Sequence, residues 1–309
     1  MLFCQFLTTG RALIASCAIA IAVSGCFSPS GIGDPPYTLA VDALANGIAV
    51  RPKDGDLFVT DDTTNAILAE HDGREFSSFG TVPVVAGQSN GLSQVTLTPD
   101  GSEVLVARFG FGTAGAVFGV SGADSSSPWT GIDPNRRRLG LVSLGGGRAL
   151  STWFEKHGST PPAGGLSLLT YDKATHAATE RDLLTGLDKP VGVVVSGSTV
   201  IVSEQGANTV VSANLDALLS SAQPTNKVTI LARVTGPDLL AIDERGTVYT
   251  KCNKTGVCSI AKDGAVVELA NDLRNARGIA VDTMRHILYV VDRSRAPGQA
   301  SYIRSFPIK

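Results

Sequence analysis

Polar and charged residues recur at the two ends of paired apolar segments along this 309-residue sequence. One set stands where the first segment of a pair begins, and the other stands where the second segment ends. Carboxylate and amide oxygens suit calcium as ligands, and a carboxylate can also act as a general base. The first set is Asn46, Asn90, Asp238 and Arg277, and the second set is Asp61, Arg108, Glu155, Glu204, Lys251 and Asp292.

The elements that must position these side chains form six weak repeats after residue 36. Each repeat joins two apolar segments through a turn such as Lys53-Asp54-Gly55 or Pro99-Asp100-Gly101, and turns of this kind connect antiparallel strands. The repeats are about 40–50 residues long, which is the length of a four-stranded propeller blade. The sequence therefore predicts an all-β fold, a six-bladed β-propeller of four-stranded antiparallel blades. The paired segments lie at 47–60, 95–107, 140–152, 192–203, 239–250 and 278–290.

Apolar runs outside these pairs predict the outer strands of the blades. They lie at 82–86, 227–233 and 266–271, and a similar run at 37–41 precedes the first pair. After the last pair only one further run follows, at 301–306. We therefore expect the N-terminal strand to complete the last blade, which closes the ring and removes an exposed sheet edge. Residues 215–220 are predicted to form a helical insertion between strands.

Antiparallel blades bring both sets of polar residues to one face of the ring. The first strand of a blade leaves that face and the second strand returns to it, so strand starts and strand ends lie together. A mixed-charge ring around the mouth of a central channel is the predicted ligand site. The alternative for each position is a structural role, because polar side chains at strand ends commonly bind the backbone of turns.

Several segments resemble known propeller repeats. The segments NGIAVRPKDGDLFVTDDTTNAIL (46–68) and RGIAVDTMRHILYVVD (277–292) resemble NHL-type repeats, and SNGLSQVTLTPDGSEVLVA (89–107) and GPDLLAIDERGTVYT (236–250) resemble the senescence marker protein/gluconolactonase family. In that family, the Asn of an Asn-Gly-opened blade and the Asp of a Pro-Asp-opened blade bind a central ion. The resemblance therefore implies a calcium ion, Ca²⁺, with Asn90 and Asp238 as ligands. The blade that opens at Pro190-Val191-Gly192 has no Asn, and the family's early Glu has no clear counterpart.

The N-terminus resembles a bacterial lipoprotein signal. Arg11 precedes an apolar run over 12–23, and Val23-Ser24-Gly25-Cys26 resembles a lipobox. This predicts a signal peptide at 1–25, a lipidated tether at 26–36 and a single propeller domain at 37–309. Acyl chains on Cys26 would anchor an exported protein in the cell envelope, with the outer membrane or periplasmic face favoured. The alternatives are a plain secretory signal or an N-terminal anchor.

Two cysteines remain in the propeller, Cys252 and Cys258, on either side of a turn-like segment. A hairpin there would bring the two sulfurs together, and an oxidising envelope would keep them bonded. Two free thiols, or half of a zinc site, are the alternatives.

The formal net charge of −2 argues against a nucleic-acid partner.

Two short motifs match functional patterns only superficially. Residues 110–115 satisfy G-x-G-x-x-G and residues 87–91 satisfy G-x-S-x-G. Strand-like segments follow both, whereas cofactor loops and nucleophile elbows require a helix. We therefore predict a hairpin and a loop at these places. The basic run Arg136-Arg137-Arg138 is interpreted as a solvated loop.

Taken together, the sequence predicts a membrane-tethered envelope lipoprotein. Its propeller is expected to bind an envelope protein or a small-molecule ligand at the channel face, without catalysis and without a required cofactor. The alternative is a calcium-dependent lactonase or esterase of the gluconolactonase-like type. In that case Ca²⁺ would polarise a carbonyl group, and Glu204 or Asp61 would be the candidate base. A third interpretation is a scaffold within an envelope assembly.

Overall fold

The computed structural model describes residues 36–73, 75–88, 90–122, 126–156 and 158–308. The predicted signal peptide, Cys26 and all but the last residue of the predicted tether lie outside this part of the chain. Apart from one short helix, the regular structure of the described residues is β-strand. No helix within these residues is long and apolar enough to span a membrane.

The strands follow one another as antiparallel meanders, as the turn residues predicted. The bounds are β1 Thr38–Val41, β2 Ala45–Val50, β3 Leu57–Asp61, β4 Ala66–Glu70, β5 Ser77–Thr81, β6 Asn90–Leu97, β7 Val104–Gly110, β8 Ala116–Val120, β9 Arg137–Gly145, β10 Arg148–Lys156, β11 Ala163–Tyr171, β12 Ala178–Thr185, β13 Pro190–Ser196, β14 Thr199–Glu204, β15 Thr209–Asn214, α1 Leu215–Ser220, β16 Thr229–Arg233, β17 Leu240–Ile242, β18 Val248–Lys251, β19 Val257–Ile260, β20 Val266–Ala270, β21 Ala276–Asp282, β22 Ile287–Asp292 and β23 Ser301–Pro307.

Six sheets form a ring of blades, so the predicted six-bladed β-propeller is confirmed. Five sheets have four strands, and the sheet β6-β7-β8 has three within the described residues. An isolated bridge from Phe118 to Pro128 extends that sheet at its outer edge. The innermost strands β2, β6, β9, β13, β17 and β21 each contact the next around the axis. Apolar side chains of neighbouring blades pack between the sheets and form the core.

The first and last strands of the described chain belong to the same blade. β1 pairs antiparallel with β23, with Thr38 opposite Arg304 and Val41 opposite Ser301. The Ser301 hydroxyl donates to the Ala43 carbonyl oxygen at 2.6 Å, which ties the start of the first blade to the last. This sheet therefore combines one strand from the amino end of the described chain with three from its carboxyl end.

The blades approach closely at the axis, where glycines open the inner strands. A Cβ atom on Gly47 would lie 2.1 Å from the Ser93 carbonyl oxygen of the next blade, so only glycine fits. The Thr60 hydroxyl accepts a hydrogen bond from the Gly47 amide and donates one to the same Ser93 oxygen. Thr152 and Ser203 make the same bridge in later blades. Repeated hydroxyl bridges therefore fix the register of neighbouring blades.

Most of the local predictions hold, with one exception among the outer strands. The predicted strand at 82–86 is wrong, because β5 occupies Ser77–Thr81 and a loop follows it. Pro83 lacks the backbone N–H that a sheet ladder requires, and this disfavours a strand there. The predicted helix is confirmed as α1, which Asn214 caps by accepting from the Ala217 amide at 2.8 Å.

The two predicted turn motifs and the predicted disulfide can also be located. Residues 110–115 connect β7 to β8 as a hairpin, and residues 87–88 belong to the loop that leads into β6. Cys252 and Cys258 are bonded to each other across the turn between β18 and β19, with their Cα atoms 5.7 Å apart. The alternatives of free thiols and half of a zinc site therefore do not apply.

A buried ionic cluster lies in the third blade, where a solvated loop was predicted at Arg136-Arg137-Arg138. That prediction is wrong, because β9 begins at Arg137 and the Arg138 side chain is fully buried. Arg138 Nη2 lies 2.7 Å from Glu180 Oε2, and Arg136 Nη1 lies 2.6 Å from Glu180 Oε1. Burial by itself raises the pKa of Glu180, but the two guanidinium groups and a backbone N–H outweigh burial and lower it to about 2.

Candidate functional site

A pocket of about 230 Å³ opens at the channel mouth, on the face where the inner strands begin. Each of the six blades contributes at least one side chain to its wall, so the pocket lies on the axis of the ring. The lining residues are Asn46, Asp62, Phe109, Leu139, Lys189, Val191, Gln205, Asp238, Arg277 and Arg293.

Three of the residues predicted at strand starts line this pocket: Asn46, Asp238 and Arg277. Arg277 Nη1 lies 3.1 Å from Asp238 Oδ2, which joins the fifth and sixth blades. The Asn46 side-chain amide donates to the Leu92 carbonyl oxygen at 2.7 Å, which joins the first and second blades. The backbone of Asn90 belongs to β6, but its side chain lies outside the part of the chain that the structure describes.

Three carboxylates predicted at strand ends have turn-stabilising contacts instead of lining the pocket. Asp61, Glu204 and Asp292 are each at least nine-tenths buried. Each accepts a hydrogen bond from a backbone amide in the loop that leads into its own blade, as the structural alternative predicted. These bonds run from Leu44 to Asp61 at 3.1 Å, from Asp188 to Glu204 at 3.0 Å and from Arg274 to Asp292 at 2.7 Å.

Two further predicted residues also lie away from the pocket wall. The Arg108 guanidinium is buried, donates to the Pro83 and Ala114 carbonyl oxygens, and stacks on Phe118 at 5.0 Å. Glu155 is exposed and lies at a bulge in β10, where the pairing register with β11 shifts. Glu204 and Asp61 bind the backbone of turns, and the use of either as a base in the hydrolase alternative stays a prediction.

Four lining residues lie one position after the predicted strand ends. Asp62, Phe109, Gln205 and Arg293 line the pocket, and each directly follows a residue that was predicted to do so. Successive side chains of an extended chain point to opposite sides. When the last strand residue points toward the turn of its own blade, the next one therefore points toward the axis. This alternation is the signal that could have identified them.

Asp238 lies at the centre of a charged cluster on one side of the pocket. Its Oδ2 atom is 3.1 Å from Arg277 Nη1 and 3.7 Å from Lys251 Nζ. Burial lowers the pKa of Lys251; the Arg277 and Lys189 cations lower it further, and Asp238 acts in the opposite direction. On the neighbouring wall Arg293 Nη2 lies 2.6 Å from Asp62 Oδ2. Each carboxylate of the pocket therefore has a cationic partner.

The described residues at the channel mouth do not fit a calcium ion. Calcium takes six to eight oxygen ligands, usually including several carboxylates. The described part of the chain has no group of three or more His, Cys, Asp or Glu side chains placed to hold a metal. Asp238, the described residue of the implied ligand pair, is already paired with an ammonium and a guanidinium group. Two cations therefore lie beside Asp238, the described member of the implied ligand pair.

Solved propeller structures share this architecture. A gluconolactonase from Xanthomonas campestris is 16% identical with a TM-score of 0.64, and the match covers 88% of this chain and 90% of that one. A calcium-binding protein, regucalcin, from Agrobacterium tumefaciens is 15% identical with a TM-score of 0.56, covering 87% and 94%. A luciferin-regenerating enzyme is 13% identical with a TM-score of 0.63, covering 88% and 95%. No family model matches the sequence, and no curated protein matches it.

These structures confirm the resemblance to gluconolactonase-like propellers at the level of the fold. They contradict the prediction of a binding protein without catalysis, because the neighbours include a gluconolactonase and a luciferin-regenerating enzyme. The hydrolase alternative agrees better with the comparisons. One neighbour is named as a calcium-binding protein, whereas the charged residues of this pocket differ from a calcium site.

Proposed function

We propose that this chain is a hydrolase that cleaves a lactone or carboxylic ester in the pocket at the channel mouth. The observation that carries the proposal is the Asp238 carboxylate, held between Arg277 and Lys251 in the wall of that pocket. A carboxylate base beside two cationic donors is one arrangement that can support carbonyl hydrolysis. The gluconolactonase among the structural neighbours supports the same reaction class.

The reaction needs a base, a site for the developing oxyanion and a proton for the leaving group. In the proposed mechanism, Asp238 accepts a proton from a water molecule whose oxygen attacks the carbonyl carbon. The C=O π electrons move to the carbonyl oxygen, where Arg277 and Lys251 stabilise the negative charge. As the tetrahedral intermediate collapses, the C–O bond breaks and the leaving oxygen takes the proton from Asp238. The products are a carboxylate, after loss of its proton, and an alcohol.

The cations replace the electrostatic contribution that a metal ion makes in metal-assisted hydrolysis. Lys251 is suited to this role because its side chain is 13% exposed and its amine faces Asp238. Low exposure reduces the screening of its charge by water. We therefore propose that the activity does not depend on calcium, in contrast to the mechanism that the sequence resemblance implied.

The proposal predicts that the purified chain hydrolyses members of a lactone and ester panel in the presence of a calcium chelator. Product acid is measured by pH-stat titration, with and without added calcium. The Asp238→Asn variant should lose at least 100-fold in kcat/KM, since removal of a general base typically costs 10²–10⁴-fold. The variant keeps the shape of the side chain and removes the charge.

Glu268→Gln serves as the matched control, because Glu268 is exposed on the outer strand β20 and contacts Asn271. Its activity should equal that of the unmodified chain. Unchanged hydrolysis by Asp238→Asn would contradict the assigned base. Activity that appears only with added calcium would contradict the metal-independent mechanism. Absence of hydrolysis across the whole panel would reject the proposed function.

We also propose that the propeller is exported and held at the envelope by acylation of Cys26. The lipobox-like sequence supports this, and the disulfide between Cys252 and Cys258 is compatible with an oxidising compartment. The Cys26→Ala variant should move from the membrane to the soluble fraction when cell envelopes are fractionated. Unchanged membrane association would contradict the lipid anchor.

A further inference from the structure

We propose that the substrate of this pocket is an amphipathic anion: a small ester or lactone with an acidic group at one end and an aryl or alkyl group at the other. The inference rests on the proposed function, since it names the substrate class of the same site. It is carried by the division of the pocket into a cationic wall and an aromatic wall.

The cationic wall consists of the lining residues Lys189, Arg277 and Arg293, together with Lys251, whose Nζ lies 3.7 Å from Oδ2 of the lining residue Asp238. The described carboxylates that pair with these cations within 4 Å are those of Asp62 and Asp238. The four cations therefore exceed these two paired carboxylates by two positive charges. Such an excess in a concave site favours an anionic ligand.

One donor atom of this wall is available to a ligand. Arg277 Nε is buried and has no hydrogen-bond partner among the described residues. An unmatched buried donor is costly unless an acceptor arrives. Lys189 has a positive φ of 48°, an uncommon conformation for a residue other than glycine. Its side chain lines the pocket.

The aromatic wall belongs to the second and third blades. Phe109 and Leu139 line the pocket there. The Phe109 ring packs edge-on against Phe111, with centroids 5.0 Å apart, and lies 6.0 Å from the ring of Phe154. Phe111 is 39% exposed, and the Arg137 guanidinium stacks on its ring with Cζ 4.2 Å from the ring centroid. An apolar group next to the scissile carbonyl would pack against Phe109 and Leu139.

The inference can be tested by binding, which does not depend on turnover. Isothermal titration calorimetry would compare 4-phenylbutyrate, its neutral amide 4-phenylbutyramide, and gluconate, which is anionic but lacks an apolar group. We expect 4-phenylbutyrate to bind at least tenfold more tightly than either of the other probes. Arg293→Gln should weaken 4-phenylbutyrate about tenfold, and Phe109→Ala should weaken it without changing gluconate.

The control variant is Arg245→Gln, because Arg245 is half exposed and pairs with Asp243 at the opposite end of β17 from Asp238. It should bind 4-phenylbutyrate like the unmodified chain. Equal binding of the acid and the amide would overturn the anionic class, and equal binding of gluconate and 4-phenylbutyrate would overturn the apolar group. No measurable binding of 4-phenylbutyrate would overturn both.

Binding and turnover separate this inference from the proposed function. Tight, selective binding of 4-phenylbutyrate without hydrolysis of any ester would support the amphipathic anion and reject the hydrolase. Hydrolysis of phenyl acetate as fast as that of monophenyl succinate, which carries an added carboxylate, would support the hydrolase and overturn the anionic class.

Discussion

Replacing Arg277 with glutamine is expected to lower kcat/KM for ester or lactone hydrolysis by about 10²–10³-fold, the usual effect of removing one oxyanion donor. Arg277 Nη1 lies 3.1 Å from Asp238 Oδ2, the proposed base. A carbonyl group attacked by water at Asp238 would therefore develop its negative charge close to the Arg277 guanidinium group. Glutamine keeps a hydrogen-bond donor and part of the length but removes the charge. Initial rates over a range of substrate concentrations measure the effect.

The division of the effect between kcat and KM distinguishes a catalytic role from ground-state binding. If Arg277 stabilises the transition state, kcat falls together with kcat/KM. If it binds only the anionic end of the substrate, KM rises while kcat is retained. Arg277→Lys should recover part of the rate, because the charge returns without the planar fork of donors. Arg245→Gln, at the opposite end of β17, is the matched arginine control and should not change either constant.

An unchanged kcat/KM in Arg277→Gln would exclude this residue from the mechanism. In that case Lys251, whose Nζ lies 3.7 Å from Asp238 Oδ2, would be the cation that stabilises the oxyanion. Loss of activity together with loss of the folded state would point to a structural role instead. Circular dichroism of the variant therefore accompanies the kinetics. The double variant with Asp238→Asn separates shared from independent contributions.

The fold could be predicted because its signals are local. Most pairs of inner strands are joined by a turn that contains glycine, such as Pro99-Asp100-Gly101. A glycine such as Gly47 often marks a close approach between blades at the axis. These features repeat along the chain, so six weak matches together support one architecture. The exception at 82–86 arose because hydrophobicity alone does not register the missing N–H of Pro83.

The site could be predicted only in part, because it depends on contacts between blades. Asn46, Asp238 and Arg277 lie at positions that the repeat itself defines. The pairing of Asp62 with Arg293 joins residues 231 positions apart. No local pattern records such a pair. Strand alternation predicts that neighbouring residues at a strand end point to opposite sides. Which of the two points toward the axis depends on hydrogen bonds between the strand end and a loop.

The interior of the third blade shows the same limit more strongly. A run of three arginines is typical of a solvated surface, yet Arg138 is fully buried here. Its carboxylate partner Glu180 lies 42 positions away in the outer strand β12. Burial of a charge requires a partner, and the sequence alone does not identify which distant acid supplies it.

Glu180→Gln is expected to lower the free energy of unfolding by about 3–5 kcal/mol, the typical cost of removing one partner of a buried ion pair. Glu180 is the only carboxylate in the described part of the chain that pairs with Arg138. Arg136 retains Asp182 as a second partner. Two donor atoms of Arg138, Nε and Nη1, already have no hydrogen-bond partner among the described residues. The variant therefore leaves the buried Arg138 guanidinium without a carboxylate partner. Urea unfolding at neutral pH measures the loss.

The same ion pair gives a defined dependence of stability on pH. The folded-state pKa of Glu180 is lowered to about 2 from an ordinary value of 4.5, so the unfolded chain binds a proton first on acidification. The contribution of Glu180 is fully present above about pH 4.5 and is lost as the pH falls toward about 2. The variant should lack this component, and its stability should fall less steeply over that interval.

Two comparisons decide whether the pair, rather than the packing around it, accounts for the effect. The double variant Arg138→Met with Glu180→Leu removes both charges, and its stability should approach or exceed that of the unmodified chain, because buried pairs are often replaceable by apolar residues. Glu268→Gln, on the exposed surface of β20, should change stability by no more than about 0.5 kcal/mol. A loss below about 1 kcal/mol in Glu180→Gln would show that water reaches Arg138 and that its charge does not depend on Glu180.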